Sequence, residues 1–440
     1  MKFIIIIVIV LVIIVAAQLM KVYELSSRLR NKSEADITPS ETKFNAGMLL
    51  FFYLALMISS TYLFIVYGAR PGLGPSASEH GESVDFLYDA NWIIILIVFY
   101  ITQTLLFGFA IKYQQKKGRK AVFFAHSTKL ELIWTVIPAV VLAGIIIGGL
   151  TVWNDITSKK EDSKVIEIYA KQFDWTVRYS GEDNTLGNAD FKLIEGNNPL
   201  GVVTSKLIEQ KQHVWDSIVG DMQKTIDEEG DLIPDDKLSE MKSKIKRLKR
   251  QIGRLEPLRR AQTDSLDMAA NDDVIVKELY LIKGQEYEFR FRSRDVIHSA
   301  LFPQFRAQMN CVPGMVTRFS FKPIMTTAEM RKDPIIAKKY KVLNKKRAAE
   351  GKEEVEFNYL LLCNKICGSS HYNMQLNVVV VDSQSEFDQW YKEQKEKKSF
   401  PVLAGLVAPK AEDKKAENII PVNDSIITSE DLNTESTQSH

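Results

Sequence analysis

A single stretch, EFNYLLLCNKICGSSHYNMQLNVVVVD at residues 356–382, organises the rest of the sequence. Its two ends have the apolar character of buried β-strands, and its polar middle contains a glycine and two serines, which favour a turn. The turn gathers Cys363, Cys367, His371 and Met374 within twelve residues of a chain that has only three cysteines and six histidines. The stretch therefore predicts two strands joined by a loop that brings two thiols, an imidazole and a thioether together.

The sequence around this stretch, from about residue 165 to 395, predicts a small antiparallel β-sandwich or barrel. Aromatic and charged side chains alternate in EYEFRFR, residues 286–292, and in RFSFK, residues 318–322. A period of two is the pattern of a strand with one buried face. Several such short strands with turns between them indicate an all-β domain.

Two segments interrupt the strand pattern. In the larger, at about 180–273, apolar residues recur at spacings of three and four from Leu238 to Leu255, and a glycine and a proline separate this heptad seam from an earlier arm. This predicts an antiparallel helical hairpin, which is either a self-contained insertion or a docking arm for a partner subunit. The smaller segment, at about 326–354, is basic and predicted to be helical, and residues 396–440 are predicted to be a disordered tail.

Four apolar segments precede the β-rich half, at residues 3–20, 46–67, 92–111 and 132–152. A helix of roughly 20 apolar residues crosses the bilayer core, so each segment is a candidate span. Lys and Arg number five, one and five in the three loops at 21–45, 69–90 and 113–130. Since cytoplasmic loops are enriched in these cations, the first and third loops are predicted inside, with the amino terminus and the β-rich half outside.

The first apolar segment has a second interpretation as a cleaved signal peptide. Only one lysine precedes it, no A-x-A-like site follows it, and basic residues come after it. This arrangement favours a retained anchor over a cleaved leader.

The overall composition argues against two classes of protein, nucleic-acid-binding proteins and disulfide-rich scaffolds. The net charge of +2, from 57 basic and 55 acidic residues, gives no nucleic-acid footprint, so no nucleic-acid partner is expected. Three cysteines are too few for a disulfide scaffold.

The Cys, His and Met residues of the loop fit copper better than zinc. Soft thiolate and thioether ligands select copper, imidazole suits it as well, and zinc sites do not ordinarily use methionine. His298, in RDVIHSALFPQF, is the best further ligand, because the other histidines fall in the membrane half, the helical insert and the tail: His80, His126, His213 and His440. Two alternatives stay open: Cys363 and Cys367 form a disulfide, which leaves His371 and Met374 unexplained, or His298 is a core histidine.

These motifs make the chain resemble subunit II of haem-copper cytochrome c oxidases of bacterial type. C-x-x-x-C-G-x-x-H-x-x-M at 363–374 is similar to the family's binuclear copper A loop, and RDVIHS at 294–299 is similar to the strand that carries its first histidine. CVPG at 311–314, YAKQFDWTVRY at 169–179 and HSTKLELIWTVIP at 126–138 resemble a family turn, the aromatic segment that opens the copper domain and the start of the second transmembrane helix.

The resemblance covers about 90–180, 274–325 and 355–395. It implies a fold in which membrane-anchored α-helices are followed by an all-β domain. A transmembrane hairpin at 90–153 is expected to precede a cupredoxin-like β-barrel, which the helical hairpin interrupts. The region 1–70, with two further helices, lies outside the family plan.

The resemblance also implies a site with two copper ions bridged by the sulfurs of Cys363 and Cys367. The other ligands it implies are two histidines, a methionine and a backbone carbonyl: His298, His371, Met374 and the carbonyl of Lys365. Phe173 and Trp175 are expected to receive electrons, and Glu131 resembles a glutamate at the mouth of a proton channel. An acid favoured by the helix dipole is the alternative for Glu131.

The function that the resemblance implies is an electron relay. Cytochrome c, either soluble or carried as a tethered domain of a larger respiratory complex, reduces the copper pair, and haem in subunit I receives the electron for reduction of oxygen to water with proton pumping. The implied partners are oxidase subunits I and III, cytochrome c and membrane lipid. The implied location is the bacterial inner membrane, crossed several times, with the copper domain on the periplasmic face.

The sequence departs from the family at several positions. Lys365 stands where the family has a glutamate whose carboxylate binds magnesium. The ammonium group of a lysine cannot ligate that ion. We therefore expect the magnesium between subunits I and II to be missing or ligated otherwise. Phe173 replaces a tryptophan. Gln308 and Asn310 replace charged residues that steer a basic cytochrome c, which favours a tethered donor held by the hairpin. Cys311, where alanine is usual, is predicted to be a small core residue.

Two other functions compete with the oxidase. A copper A subunit of a quinol-dependent nitric oxide reductase has the same ligands, but Glu131 and the LIWTVIP segment favour the oxidase. A metal-free subunit II of a quinol oxidase has lost the ligands, and all of them are present here.

Overall fold

The computed structural model describes residues 2–29, 38–68, 73–116, 118–158 and 160–407. The chain divides into two units, one made of residues up to 69 with 90–139, the other of residues 70–89 with those from 140 onward. The first unit holds membrane-capable helices, and the second holds the β-rich domain.

Four long helices make up the first half of the chain: α1 (Lys2–Leu29), α2 (Pro39–Tyr67), α3 (Glu79–Lys112) and α4 (Thr128–Thr157). Among the described residues, α2, α3 and α4 are long and apolar enough to cross a membrane. The span predicted at 3–20 falls in α1, whose side chains lie only partly within the described residues, and it stays a prediction.

The segment around the start of α3 packs on the β-rich domain. The backbone N–H of Ala77 donates to the carbonyl of Gln304 (2.8 Å), and the Ala77 carbonyl accepts from the N–H of Ile324 (2.9 Å). Two guanidinium nitrogens of Arg306 donate to the Asp85 carboxylate, at 3.1 and 3.0 Å. This segment and the β-rich domain therefore lie on the same side of the membrane, as expected for a loop with a single Lys or Arg.

His80 lies in this segment, in the loop at 69–90 that the sequence places outside the membrane. The structure buries its ring against the rings of Phe319 and Phe321, with centroids 5.4 and 6.3 Å away. The sequence pattern does not reveal this burial. Ser78, two residues before His80, forms a β-bridge with Pro323, which joins the segment to the β-rich domain.

Ten strands build the β-rich domain in the described part of the chain: β1 (Lys164–Lys171), β2 (Asp174–Tyr179), β3 (Val274–Val276), β4 (Leu279–Ile282), β5 (Tyr287–Ser293), β6 (His298–Phe302), β7 (Ala307–Cys311), β8 (Thr317–Phe321), β9 (Tyr359–Cys363) and β10 (Gln375–Val381). They form two five-stranded sheets, of order β3-β2-β1-β5-β8 and β4-β10-β9-β6-β7.

Two pairings in these sheets are parallel, β1 with β5 and β4 with β10, so the wholly antiparallel domain predicted from the sequence is wrong at these places. Each parallel pair joins strands that are far apart in the chain. Parallel neighbours need a long connection, and the helical insert lies between β1 and β5. Period-two alternation shows that a strand has one buried face but does not show which strand lies beside it.

Aromatic rings fill the space between the sheets. Phe289 stacks on Phe321 with centroids 4.6 Å apart, and Phe305 stacks on Phe321 at 4.9 Å. Tyr359 packs on Phe305 at 4.7 Å, and its hydroxyl donates to the Met325 carbonyl. All four rings are fully buried, and the alternation in EYEFRFR and RFSFK predicts the positions of the first two.

The larger insert forms α5 (Ser205–Glu229), α6 (Asp235–Ala261) and α7 (Asp264–Asn271), of which α5 and α6 make a helical hairpin. Its root is buried against the first sheet, where Leu207 and Leu255 share a cluster with Tyr169. Farther along the hairpin, a separate small cluster holds α5 and α6 together, with Val219, Ile245 and Leu248 buried.

The smaller insert forms α8 (Thr327–Lys332) and α9 (Pro334–Ala349), and the chain after β10 forms α10 (Gln384–Lys398) and α11 (Phe400–Leu403). Residues 396–407 are therefore folded, contrary to the predicted disordered tail. The cause is tertiary: Phe400 is fully buried in the cluster at the hairpin root, which polar composition does not reveal. The rest of the predicted tail, 408–440, lies outside the described residues.

A buried charge network joins the insert to the first sheet. Arg178 Nε donates to Glu167 Oε2 (2.7 Å), and Arg178 Nη1 donates to Asp273 Oδ2 (3.0 Å) and to the Gly187 carbonyl (2.9 Å). Arg292 also pairs with Glu167. Burial acts to raise the pKa of the Glu167 carboxyl, but the two guanidinium groups hold that pKa below its usual value.

Replacing Arg178 with methionine is expected to destabilise the β-rich domain by about 3–5 kcal/mol, because Asp273 then stays buried without a cation and Glu167 keeps only Arg292. Urea unfolding of the purified chain, followed by tryptophan fluorescence, measures the change. Arg294→Met, at an exposed side chain, is the matched control and should cost less than about 0.5 kcal/mol. Equal losses in the two variants would show that the network does not stabilise the domain.

Candidate metal centre

Three strands position the ligand loop, which we define as residues 363–374 between β9 and β10. β9 pairs antiparallel with β10 on one side and with β6 on the other. The N–H of Cys363 donates to the Met374 carbonyl (3.1 Å), and the N–H of Asn364 donates to the Ser299 carbonyl (2.9 Å). These bonds bring both ends of the loop to His298 at the start of β6.

The thiol of Cys363 lies at the centre of one half of the site. Its Sγ is 3.8 Å from Nδ1 of His298 and 3.3 Å from the carbonyl oxygen of Lys365. The side chain of Lys365 is exposed, so only its carbonyl faces the site.

The thiol of Cys367 lies at the centre of the other half. Its Sγ is 3.8 Å from Sγ of Cys363, 3.5 Å from Nδ1 of His371 and 3.8 Å from Sδ of Met374. Each sulfur therefore has one imidazole nitrogen and one further donor beside it. The structure brings all six predicted ligands together.

The two thiols are not joined in a disulfide. Their Sγ–Sγ distance of 3.8 Å far exceeds the bond length of about 2.05 Å, and all three cysteines are free. Burial and the neighbouring Cys363 raise the pKa of Cys367 to about 11, so its thiol keeps its proton until a cation displaces it. Cys311 is fully buried opposite His298 in the β6–β7 register, and burial raises its pKa to about 12.

Two residues that sequence reasoning missed, Asp295 and Gln172, support the ligands. Oδ1 of Asp295 lies 2.8 Å from Nε2 of His298, so it directs the other ring nitrogen toward the thiols. Oδ2 of Asp295 accepts from the N–H of Gln172 (2.8 Å), and the side-chain amide of Gln172 donates to the Cys367 carbonyl. The detectable signal was a carboxylate three residues before a candidate histidine ligand.

Replacing Asp295 with alanine is expected to weaken copper binding about 10- to 100-fold, because His298 loses the partner that fixes its orientation. Competition with a copper chelator measures the affinity. Asp295→Asn keeps an acceptor for the imidazole and should lose less. Wild-type affinity in the alanine variant would mean that Asp295 has no supporting role.

Gly368 allows the loop to pass close to the first sheet. Its φ is +144°, which L side chains rarely adopt, and a Cβ there would lie 2.7 Å from Cζ of Phe173. Phe173 is partly buried beside the loop. Trp175 is fully buried, with its Nε1 donating to the Met374 carbonyl (3.3 Å), so it supports the loop and offers no surface to a donor.

Replacing Gly368 with alanine is expected to displace the loop and reduce the copper retained after purification, while far-UV circular dichroism stays unchanged. Gly253→Ala, at an exposed position of α6 with open space around it, is the matched control and should retain wild-type copper. If both variants retain equal copper, the close approach of Phe173 does not shape the site.

Glu131 lies in the other unit, in the first turn of α4. Its Oε1 is 3.4 Å from the N–H of Ser127, which donates to it, and Oγ of Ser127 accepts from the N–H of Leu130 (3.5 Å). This is the local pattern of a helix N-terminal acid. Its expected place at a proton channel stays a prediction.

Comparison with known proteins identifies relatives along most of the chain. The family model described as cytochrome c oxidase subunit II, transmembrane domain, matches residues 67–152. The alternative cytochrome c oxidase subunit 2 of Bradyrhizobium diazoefficiens is 25% identical over 335 residues, which are 75% of this chain and 86% of the relative. These comparisons support a protein of the cytochrome c oxidase subunit II family.

Two further similarities each cover more than half of the chain. Cytochrome c oxidase subunit 2 of Thermostichus vulcanus is 21% identical over 345 residues, 77% of this chain and 84% of that one. The crystal structure of the periplasmic domain of subunit II of cytochrome oxidase (CoxB) of Bradyrhizobium japonicum aligns at 14% identity with a TM-score of 0.25, covering 55% of this chain and 99% of that one.

The family resemblance and the fold class predicted from the sequence are confirmed. The chain has membrane-capable helices followed by a β-rich domain of two five-stranded sheets with a helical-hairpin insertion. It is a membrane protein and a component of a cytochrome c oxidase, which is an oxidoreductase complex.

Proposed function

We propose that this subunit II binds two copper ions in the ligand loop and relays electrons through them. The observation that supports the proposal most strongly is the donor set around the sulfurs of Cys363 and Cys367: two imidazole nitrogens, one thioether and one carbonyl. With the two sulfurs, these groups make six donors. If two ions share both sulfurs, each ion has four donors, which is the number that a tetrahedral site uses. The soft sulfur ligands suit copper.

The chain holds these donors in a frame that resists movement. The candidate ligands lie on or between strands β6, β9 and β10. Hydrogen bonds from Asp295, Gln172 and Trp175 support His298 and the backbone of the ligand loop. Copper held by these residues would supply one-electron transfer between cytochrome c and haem in subunit I, where oxygen would be reduced with proton pumping. A preorganised ligand shell favours this transfer because little rearrangement accompanies it.

Several exposed side chains around the site are apolar, which bears on the electron donor. Ile366 and Tyr372 of the loop are 86% and 69% exposed, and Val296, just before His298, is also exposed. Exposed apolar groups grouped in this way mark interaction surfaces. With uncharged Gln308 and Asn310 nearby, this surface suits a donor domain that docks by apolar contact and is held close by a tether. Docking by long-range charge attraction fits it less well.

The membrane arrangement supports a copper domain on the periplasmic face of the bacterial inner membrane. The segment at 73–89 bonds to the β-rich domain, and its loop has few cations, whereas the flanking loops at 21–45 and 113–130 are basic. Subunits I and III and membrane lipid are the partners that such helices would contact.

Lys365 bears on the expected magnesium site. Its carbonyl faces Cys363, and its exposed ammonium cannot bind a divalent cation. We propose that this oxidase lacks the magnesium at the boundary of subunits I and II or holds it with other residues. A magnesium ligated by a side chain of residues 363–374 would contradict this.

Loading the purified chain with copper is expected to give two copper ions per chain and a mixed-valence electron paramagnetic resonance signal shared by both. Met374→Leu should alter that signal while circular dichroism stays unchanged, because only one weak ligand is lost. Cys311→Ala, at the cysteine outside the donor set, is the matched control and should keep the wild-type signal. One copper per chain, or the signal of a single isolated copper, would refute the proposal.

A further inference from the structure

The outer face of α6 is strongly basic. The helix has ten Lys and Arg residues against four Asp and Glu. All ten cations are exposed. Within the described residues, the side chains of eight of them form no ion pair or hydrogen bond: Lys237, Lys242, Lys244, Lys246, Arg247, Lys249, Arg250 and Arg254. We call this surface the basic face of α6.

The basic face contains a continuous stripe at intervals of four residues, Lys242, Lys246, Arg250 and Arg254. At a rise of 1.5 Å per residue the stripe is about 18 Å long. Like charges at this spacing repel each other and weaken an isolated helix. Helix α5 does not neutralise them, because in the described part of the chain no ion pair joins the two helices. A ligand with negative charges would relieve the repulsion.

The described part of the chain ends near the root of the hairpin. Phe400 and Ala404 are buried with Leu255 in the cluster at the hairpin root. Lys206 Nζ donates to the Leu406 carbonyl (3.0 Å), so the described chain ends beside the first turn of α5. Beyond it, residues 416–440 carry five acidic residues and no Lys or Arg: Glu417, Asp424, Glu430, Asp431 and Glu435.

We propose that the acidic segment 416–440 binds the basic face of α6 in the same molecule. Arg254 lies at one end of the stripe. The next residue, Leu255, is buried in the root cluster with Phe400 and Ala404, only a few residues before the described chain ends at 407. The ten residues from 407 to 417 span up to about 33 Å, which exceeds the length of the stripe. Attachment to the same chain gives the segment an effective concentration in the millimolar range. Any acidic partner of the hairpin then has to displace it.

Limited trypsin digestion of the full chain tests this, since a bound segment protects the Lys and Arg residues of α6. Changing the five acids to amides (Glu417→Gln, Asp424→Asn, Glu430→Gln, Asp431→Asn, Glu435→Gln) is expected to raise the cleavage rate in α6 to that of the wild type in high salt. Cleavage in α9, another basic helix, should not change. Glu353→Gln with Glu354→Gln, at exposed acids elsewhere in the domain, is the matched control and should leave α6 protected.

Carbodiimide cross-linking gives a second measurement. In wild-type protein at low salt, it should link acids of 416–440 to Lys242 or Lys246. The yield of this product should not depend on protein concentration. A yield that rises with concentration would assign the contact to a second copy and overturn the proposal. Cleavage in α6 that is unaffected by neutralising the five acids would also overturn it. So would protection that requires phosphatidylglycerol vesicles or another oxidase subunit, because the occupant would then be lipid or a partner protein.

Discussion

The backbone pairing of β9 with β10 and with β6 is the constraint on which the metal centre depends. It places Cys363 opposite Met374 through a direct N–H to carbonyl bond, although eleven residues separate them. It also places His298 beside the loop, although 65 residues separate it from Cys363. Because strand pairing is cooperative and buried, the donors are held at their distances by the sheet, and the loop itself needs few internal bonds.

The site also depends on the packing of one sheet on the other. Gln172 and Phe173 lie in the turn between β1 and β2 of the first sheet, whereas the ligand loop belongs to the second. Gln172 reaches the Cys367 carbonyl and Asp295, and Phe173 lies against Gly368. The aromatic rings between the sheets set the separation at which these contacts form. A change in the core would therefore alter the support of the ligands without touching them.

The helical insertion is attached to this frame at two kinds of contact. An apolar cluster buries the hairpin root with Tyr169 and Phe400, and Arg178 binds Asp273 where the insert rejoins the first sheet. Both contacts lie on the first sheet, and the ligand loop lies on the second. The hairpin is therefore attached to the sheet that does not contain the ligand loop.

The amino-acid pattern was enough to predict which chemical groups lie at the candidate site and where the chain is apolar. Spacing within one loop identified Cys363, Cys367, His371 and Met374, since candidate ligands so close in the chain need no knowledge of the fold, and apolar length identified the helices. Four features came from the tertiary structure alone: the parallel pairings, the buried position of His80, the folding of 396–407 and the support from Asp295 and Gln172. Each of these rests on contacts between residues distant in sequence, and local pattern carries no record of which distant residue becomes a neighbour.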